Sequence, residues 1–499
     1  MMGMLCALIG SSTFLTIATR IGLPVSTTHC IIGGIIGVGF ATVGANGVDW
    51  SWNGVSQVFA AWAIAPCISG CFGAILFLIT KYGVMKSKNP LKMGMIMVPI
   101  FYALTSGILT MLIVWKGAAS LDLDDWGTAP TVGTIFGVAG GVALLSCIFI
   151  LPYLHVKLVR EDWKLKQLDI IRGPFLLRRP DAGPIPAGHA LVIDYYHGHA
   201  TKDELTSSVQ SGETRSDLES SRDGEPSDSE VTDEKTGAIY GRQASIVAAV
   251  PTVDATEPVT PVKRKWYEPV QLWHTFKWTF FRGVMIDIVS EQSHGGTNEP
   301  KFLQRLLVGK NLEKKHAIVE HYDLRVEHLY SFLQVMTAAT ASFAHGANDV
   351  SNAMGPLSAI YQIWRTNATG SKSEVPIWVL VFGGAAISIG LWTYGYNLMR
   401  NLGNRITLHS PSRGFCMELG AAMTVVMATR LALPVSTTQC IIGATVGVGL
   451  CAGDYKAINW RMVAWSYCAW FVTLPATAVI SGLIMAFTIN APSFAAPLN

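Results

Sequence analysis

Two five-residue runs offer the clearest chemistry in this sequence: Pro24-Val25-Ser26-Thr27-Thr28 and Pro434-Val435-Ser436-Thr437-Thr438. Each opens an apolar, glycine-bearing stretch with no charge in it. A proline at the start of a helix presets its first turn. The N–H groups left over at that end, and the positive end of the helix dipole, attract anions. Hydroxyls add neutral donors without burying a charge. The plainer reading is that these residues only cap a kinked helix. Their recurrence at matched positions favours an oxyanion site lined by Ser26, Thr27, Thr28, Ser436, Thr437 and Thr438.

A second run, Ala344-His345-Gly346-Ala347-Asn348-Asp349-Val350-Ser351-Asn352-Ala353, holds a carboxylate at the end of an apolar segment. A carboxylate inside a membrane is costly unless a cation offsets it. Asp349 with Asn348 and Asn352 makes an oxygen-rich set suited to a hard cation such as sodium. Gly346 and Pro356 suggest a broken helix whose loosened carbonyls would help; the competing reading is a short polar turn at the membrane surface. His345 is either a proton carrier or a neutral, bonded histidine. Glu418 enters an apolar helix ahead of the second proline run, with Leu8 at the matching place in the first copy, and intramembrane acids usually function. Arg20 and Arg430 match each other too, and either draw an anion in or snorkel to the surface.

These residues are positioned by membrane elements. Half of the 499 residues are hydrophobic and 14% are charged, too few charges for the surface of a soluble domain of this size. Apolar segments of about the length that crosses a bilayer fall at 1–21, 25–45, 55–80, 93–115, 131–155, 326–347, 376–398, 412–432, 434–451 and 462–489. The expected fold is therefore an all-α membrane protein of about ten transmembrane or broken helices. Cys6, Cys30, Cys67, Cys71, Cys147, Cys440 and Cys468 sit in apolar runs and read as small core residues. There is no CxxC pair or His/Cys cluster, and no basic-aromatic module for nucleic acid. No nucleophile–base pair supports an enzyme.

Basic residues mark the inner side: Lys81, Lys86, Lys88 and Lys92; Lys157, Arg160, Lys164 and Lys166; and Arg400, Arg405 and Arg413. Asp122, Asp124 and Asp125 then fall outside, as does Asn367-Ala368-Thr369, a glycosylation acceptor. The stretch between the fifth and sixth apolar segments is hydrophilic, and its middle, from Ala200 to Pro261, has a disordered composition. Ser207, Ser208, Ser227 and Ser229 there are open to phosphorylation, although a solvated spacer is the plainer reading. The flank from Trp266 to Leu307 mixes aromatics and bases and suits a membrane surface.

The segment from Ala18 to Gly39 matches that from Ala428 to Gly449 without a gap at about three quarters of its positions, and Trp50 and Trp460 keep the same offset. The chain therefore contains a duplication. If each proline element is one crossing, the copies run in opposite senses; if each dips in and returns, the same reasoning gives one sense. Inverted copies with a site between them are typical of secondary transporters, and that arrangement is expected here.

The H-G-A-N-D-V-S-N-A run and the twin P-V-S-T-T elements resemble the inorganic phosphate transporter family, which includes sodium–phosphate symporters. The lead-in Glu327-His328-Leu329-Tyr330-Ser331-Phe332 resembles its fungal branch. The resemblance implies that Asp349 and the asparagines bind sodium and phosphate, that Glu418 is needed for transport, that the Ser-Thr elements line the phosphate site and that the central loop is cytosolic. It divides the chain into a first-half membrane region at 1–156, a largely disordered cytosolic loop at 157–324 and a second-half repeat at 325–499. The family carries a further G-A-N-D element upstream of where this sequence starts, so an N-terminal truncation is expected. Gln439 also departs from the pattern, standing where the first copy has His29.

The implied function is cation-coupled symport of phosphate, with sodium or a proton as co-substrate, no cofactor and no nucleic acid, in the plasma membrane; a homodimer stays open. Sulfate or another oxyanion as cargo, or a phosphate sensor or scaffold that does not transport, are the alternatives.

Overall fold

The computed structural model describes residues 1–52, 54–116, 127–186, 189–196, 199, 269–281, 312–368, 375–395, 398–399, 405–431 and 433–491. Among the described residues, all ten apolar segments are helical through most of their length. They form α1 (Met2–Ile21), α2 (Thr27–Val43), α3 (Val55–Thr80), α4 (Pro90–Lys116), and α5 (Thr128–Leu145), which runs through a π turn into α6 (Leu151–Leu158). After α7 (Pro269–Phe280) and α8 (Leu312–Ala317) come α9 (Leu324–Thr366), α10 (Ile377–Tyr394), α11 (Pro411–Arg430), α12 (Thr437–Ala452) and α13 (Trp460–Asn490). The acidic residues expected outside (Asp122, Asp124, Asp125), Arg400, the four loop serines, the Ala200–Pro261 middle and most of the Trp266–Leu307 flank lie outside the described residues.

Among the described residues, six helical spans are long and apolar enough to cross a membrane, while α2 and α12 are shorter. A 17-residue helix such as α2 spans about 25 Å, less than the ~30 Å hydrocarbon core. Each short helix is the return arm of a hairpin. In the first, Ser11 Oγ of α1 donates to the Cys30 carbonyl of α2 at 2.9 Å. The turn between the arms is the same in both copies. Leu23 N–H donates to the Ala18 carbonyl at 2.8 Å and Leu433 N–H to Ala428 at 2.9 Å. Val25 and Val435 then close on Leu23 and Leu433 at 3.0 and 2.9 Å.

The hairpins point in opposite directions. Gly443 and Gly447 of α12 pack in register along Pro66 and Gly70 of α3, so these two helices are parallel. Helix α2 runs against α3: Ile36 clusters with Val55 near its start, and Trp62 further along bonds His29. Hence α2 and α12 are antiparallel. The parallel packing of α12 on α3 repeats between α2 and α13, where Gly33 meets Leu474 and Gly37 meets Ala478. The copies are thus inverted, as expected, but not because each element is a single crossing. The elements dip in and return, and they do so from opposite ends of the bundle, because each pairs with the last helix of the other copy.

Helix α9 also corrects an expectation. It is continuous for 43 residues through the whole polar run, neither broken at Gly346 nor a turn. A Cβ on Gly346 would meet nothing within 4 Å. Pro356 inside the helix lacks an N–H, which frees the Asn352 carbonyl alone.

The three basic loops gather at one end of the bundle. Lys81 and Lys86 pair with Glu320 at 3.2 and 3.0 Å, Arg325 pairs with Glu161 at 2.7 Å, and Arg413 donates to the Glu320 carbonyl. Glu327 of the fungal-type lead-in is fully buried there. It accepts from Tyr196 Oη at 2.8 Å and from Ser412 N–H and Oγ at 2.9 Å each. Residues 157–196 and 312–324, assigned to a loop from the sequence, contribute Leu158, Leu165, Leu176, Tyr196 and Val319 to the main core. Cys6, Cys30, Cys416 and Cys440 are buried; Cys67, Cys71, Cys147 and Cys468 are exposed, since they lie on the outward faces of their helices and not in the core.

Candidate functional site

The site lies where the two hairpin tips meet α9. His345, Asn348, Asp349 and Asn352 recur at helical spacing and share one face of α9. Thr27 Oγ1, on the first tip, donates to Asp349 Oδ1 at 2.6 Å. Asn352 Nδ2 reaches Thr28 Oγ1 at 2.9 Å, Thr27 Oγ1 at 3.3 Å and Asp349 Oδ1 at 3.4 Å. On the second tip, Asn348 Nδ2 donates to the Val435 carbonyl at 3.4 Å, and Thr437 Oγ1 bonds His345 Nδ1. His345 Nε2 sits 2.8 Å from Asp349 Oδ2. The tips also touch directly, Thr438 Oγ1 to the Val25 carbonyl at 3.5 Å. His345 and Asp349 thus join tips that are more than four hundred residues apart in the chain.

Ser26 and Ser436 take a different part. Each caps its helix, Ser26 Oγ accepting from His29 N–H at 3.3 Å and Ser436 Oγ from Gln439 N–H at 3.4 Å. The cap engages the oxygen as acceptor and leaves the hydroxyl proton to be donated elsewhere.

For a cation, the site offers a carboxylate that is 11% exposed, the Thr27 hydroxyl, the Asn352 carbonyl and the extended carbonyls of both tips. Those tips, not a broken α9, supply the loosened backbone. For an anion it offers two helix N-termini of opposite direction and four threonine hydroxyls. An oxygen-ligated cation and an oxyanion can therefore be held side by side, each screening the other's charge in a low-dielectric setting.

Glu418 is elsewhere. It accepts from Thr337 Oγ1 at 2.6 Å. Thr337 precedes Asp349 by twelve positions on the same helix, about 18 Å along its axis. The structure does not bring Glu418 to the cluster. Arg20 is exposed at the end of α1, and the side chain of Arg430 lies outside the description. Asn367 is exposed at the end of α9; Thr369 of its acceptor motif is outside the described residues.

Two tryptophans escape sequence reasoning. Trp470 Nε1 donates to the Pro24 carbonyl of the first tip at 2.9 Å, and Trp62 Nε1 donates to His29 Nε2 at 3.0 Å. Only the shared helical face of His345 with Asn348, Asp349 and Asn352 was available in the sequence as a pointer to that histidine.

The profile of the phosphate transporter family matches residues 1–481. The chain belongs to that family. The transporter is similar to the phosphate-repressible phosphate permease pho-4 of Neurospora crassa, 47% identical over 99% of this chain and 84% of that one. It is similar to sodium-dependent phosphate transporter 2 of Bos taurus, 28% identical over 98% of this chain and 86% of the relative. A solved structure of a sodium-dependent phosphate transporter shares the fold, with a TM-score of 0.51 and 22% identity, covering 98% of this chain and 80% of that chain. The protein is thus a multi-pass membrane transporter of phosphate and not an enzyme.

Proposed function

We propose that the transporter carries inorganic phosphate together with sodium by alternating access, with the phosphate held between the hairpin tips and the cation at Asp349. The observation that carries this reading is the meeting of Thr27 and Thr28 with Asp349 and Asn352, and of Thr437 with Asp349 through His345, across two inverted hairpins. Phosphate donors are Thr27, Thr28, Thr437, Thr438, Asn348 and Asn352, with the hydroxyl protons of Ser26 and Ser436 completing the set. Asp349 and Asn348 take the cation. Glu418, distant from them, acts in coupling through α9, along which it bonds Thr337.

Physical need supports the cation. Phosphate entering against an inside-negative potential must be accompanied by positive charge. The relatives named for sodium dependence favour sodium over the proton. The gathered basic loops favour a central segment that faces the cytosol, in a protein that we place in the plasma membrane.

Uptake of labelled phosphate into proteoliposomes tests this. A sodium gradient should drive accumulation, Asp349→Asn should abolish the sodium dependence, and Thr27→Val should raise the phosphate KM. Uptake at the same rate with neither a sodium nor a proton gradient would sink the proposal.

A further inference from the structure

The two repeats match closely in backbone yet differ in what holds their tips. The helix pairs fix the equivalence: the Pro66 carbonyl lies against Gly443 as that of Leu474 lies against Gly33, and Gly70 meets Gly447 as Ala478 meets Gly37. This register is two residues shorter than that of the hairpins themselves, and it makes Trp62 of α3 the counterpart of Trp470 of α13. Each indole has an aromatic ring three residues before it, Phe59 at 4.9 Å and Tyr467 at 4.7 Å.

Their N–H groups go to different partners. Trp470 crosses to the Pro24 carbonyl on the tip of the other repeat, at 2.9 Å. Trp62 stays with His29 in the hairpin of its own repeat, at 3.0 Å. The counterpart of His29 is Gln439. It is fully buried, and neither its amide nitrogen nor its amide oxygen has a protein partner among the described residues. A buried amide left without a bond is costly, and a buried indole N–H almost always has an acceptor.

We propose that Trp62 and Trp470 are positioning residues that exchange partners during transport, with Gln439 as the second acceptor for Trp470. Inverted repeats reach their opposite-facing state by exchanging the conformations of the two halves. Applied to this pair, Trp62 leaves His29 for the Pro434 carbonyl, and Trp470 leaves Pro24 for Gln439 Oε1. Each state then latches one tip and releases the other, and every indole N–H keeps an acceptor in both. This inference rests on the alternating-access reading above.

The test uses the full chain with Gln439→Leu, Gln439→His and Trp470→Phe. Gln439→Leu removes an unbonded buried amide, so its melting temperature should equal or exceed that of the wild type. The maximal rate of sodium-driven phosphate uptake should nevertheless fall at least tenfold, with KM changed less than threefold. Gln439→His should restore the rate, since an imidazole accepts from an indole as His29 does. Trp470→Phe should raise KM instead, because the first tip loses its latch. A second measurement needs no transport: amide hydrogen exchange at residues 22–28 and 433–438. In Gln439→Leu the first tip should exchange more slowly than in the wild type and the second faster. Exchange and uptake of Gln439→Leu both equal to wild type overturn the proposal. Absence of sodium-driven uptake in the wild type, with the exchange shift present, overturns the coupling reading and leaves the partner exchange standing.

Discussion

A methyl group added at Gly37 or Gly447 tests the inverted packing directly. At Gly37 the new Cβ would fall 1.9 Å from the Ala478 carbonyl oxygen and 2.6 and 2.7 Å from its C and Cα. At Gly447 it would fall 2.1 Å from the Gly70 oxygen, 2.7 Å from its C and 2.8 Å from its Cα. The opposing atoms are all backbone and cannot rotate away, so the helices must separate by roughly 1 Å, enough to forfeit a quarter to a half of each dispersion contact along the seam. Lipid supplies no hydrophobic drive to bring them back, because packing itself holds membrane helices together. Overpacking of this kind costs about 3 kcal/mol at the upper end of its range, and the alanine recovers about 1 kcal/mol in helix propensity. The net loss is about 2 kcal/mol per site, and the two sites, lying in separate interfaces, should add to about 4 kcal/mol. Gly140 and Gly384 are the controls, because a Cβ there meets nothing within 4 Å and alanine should be neutral or stabilising by up to about 1 kcal/mol. Thermal unfolding of the purified chain in detergent reads the difference, with phosphate uptake alongside. If Gly37→Ala and Gly447→Ala melt no lower than Gly140→Ala, the seams between α2 and α13 and between α3 and α12 are not as described.

Glu327→Gln should cost about 2–4 kcal/mol, since an amide replaces a fully buried carboxylate that accepts three bonds; faster proteolysis at residues 189–196 would show that Tyr196 has lost its anchor. Asn352→Ala removes the donor shared by Thr27, Thr28 and Asp349, and should raise the phosphate KM about tenfold, the equivalent of one modest hydrogen bond of about 1.4 kcal/mol; an unchanged KM would take Asn352 out of the site. His409, just ahead of α11, has its pKa pushed down from 6.5 to about 4, first by burial and then by the nearby Arg413 charge. The folded state therefore favours the neutral ring, the unfolded state binds the proton first, and stability should fall as pH drops from about 6.5 to about 4, by up to about 1.4 kcal/mol per unit. In His409→Gln the slope of a melting series over that range should be reduced by this contribution and not abolished.

The sequence alone determined the helices and the duplication. Membrane helices satisfy their own backbone and are apolar over most of their length, so all ten stretches, the two short return arms included, were legible without tertiary information. The hydroxyl runs and the Asp349 motif were legible for a similar reason, because polar groups inside apolar segments stand out. Gly346 and Pro356 suggest a break because glycine and proline weaken a helix locally, yet α9 runs on through both. Tertiary structure decided which residues meet. It joined Thr27 to Asp349 and Thr437 to His345, kept Glu418 about three turns or more away along α9, and gave matched tryptophans unmatched partners. Composition and spacing describe one segment at a time, whereas these contacts depend on the angle and register at which remote helices pack, and that is set only when the whole bundle closes.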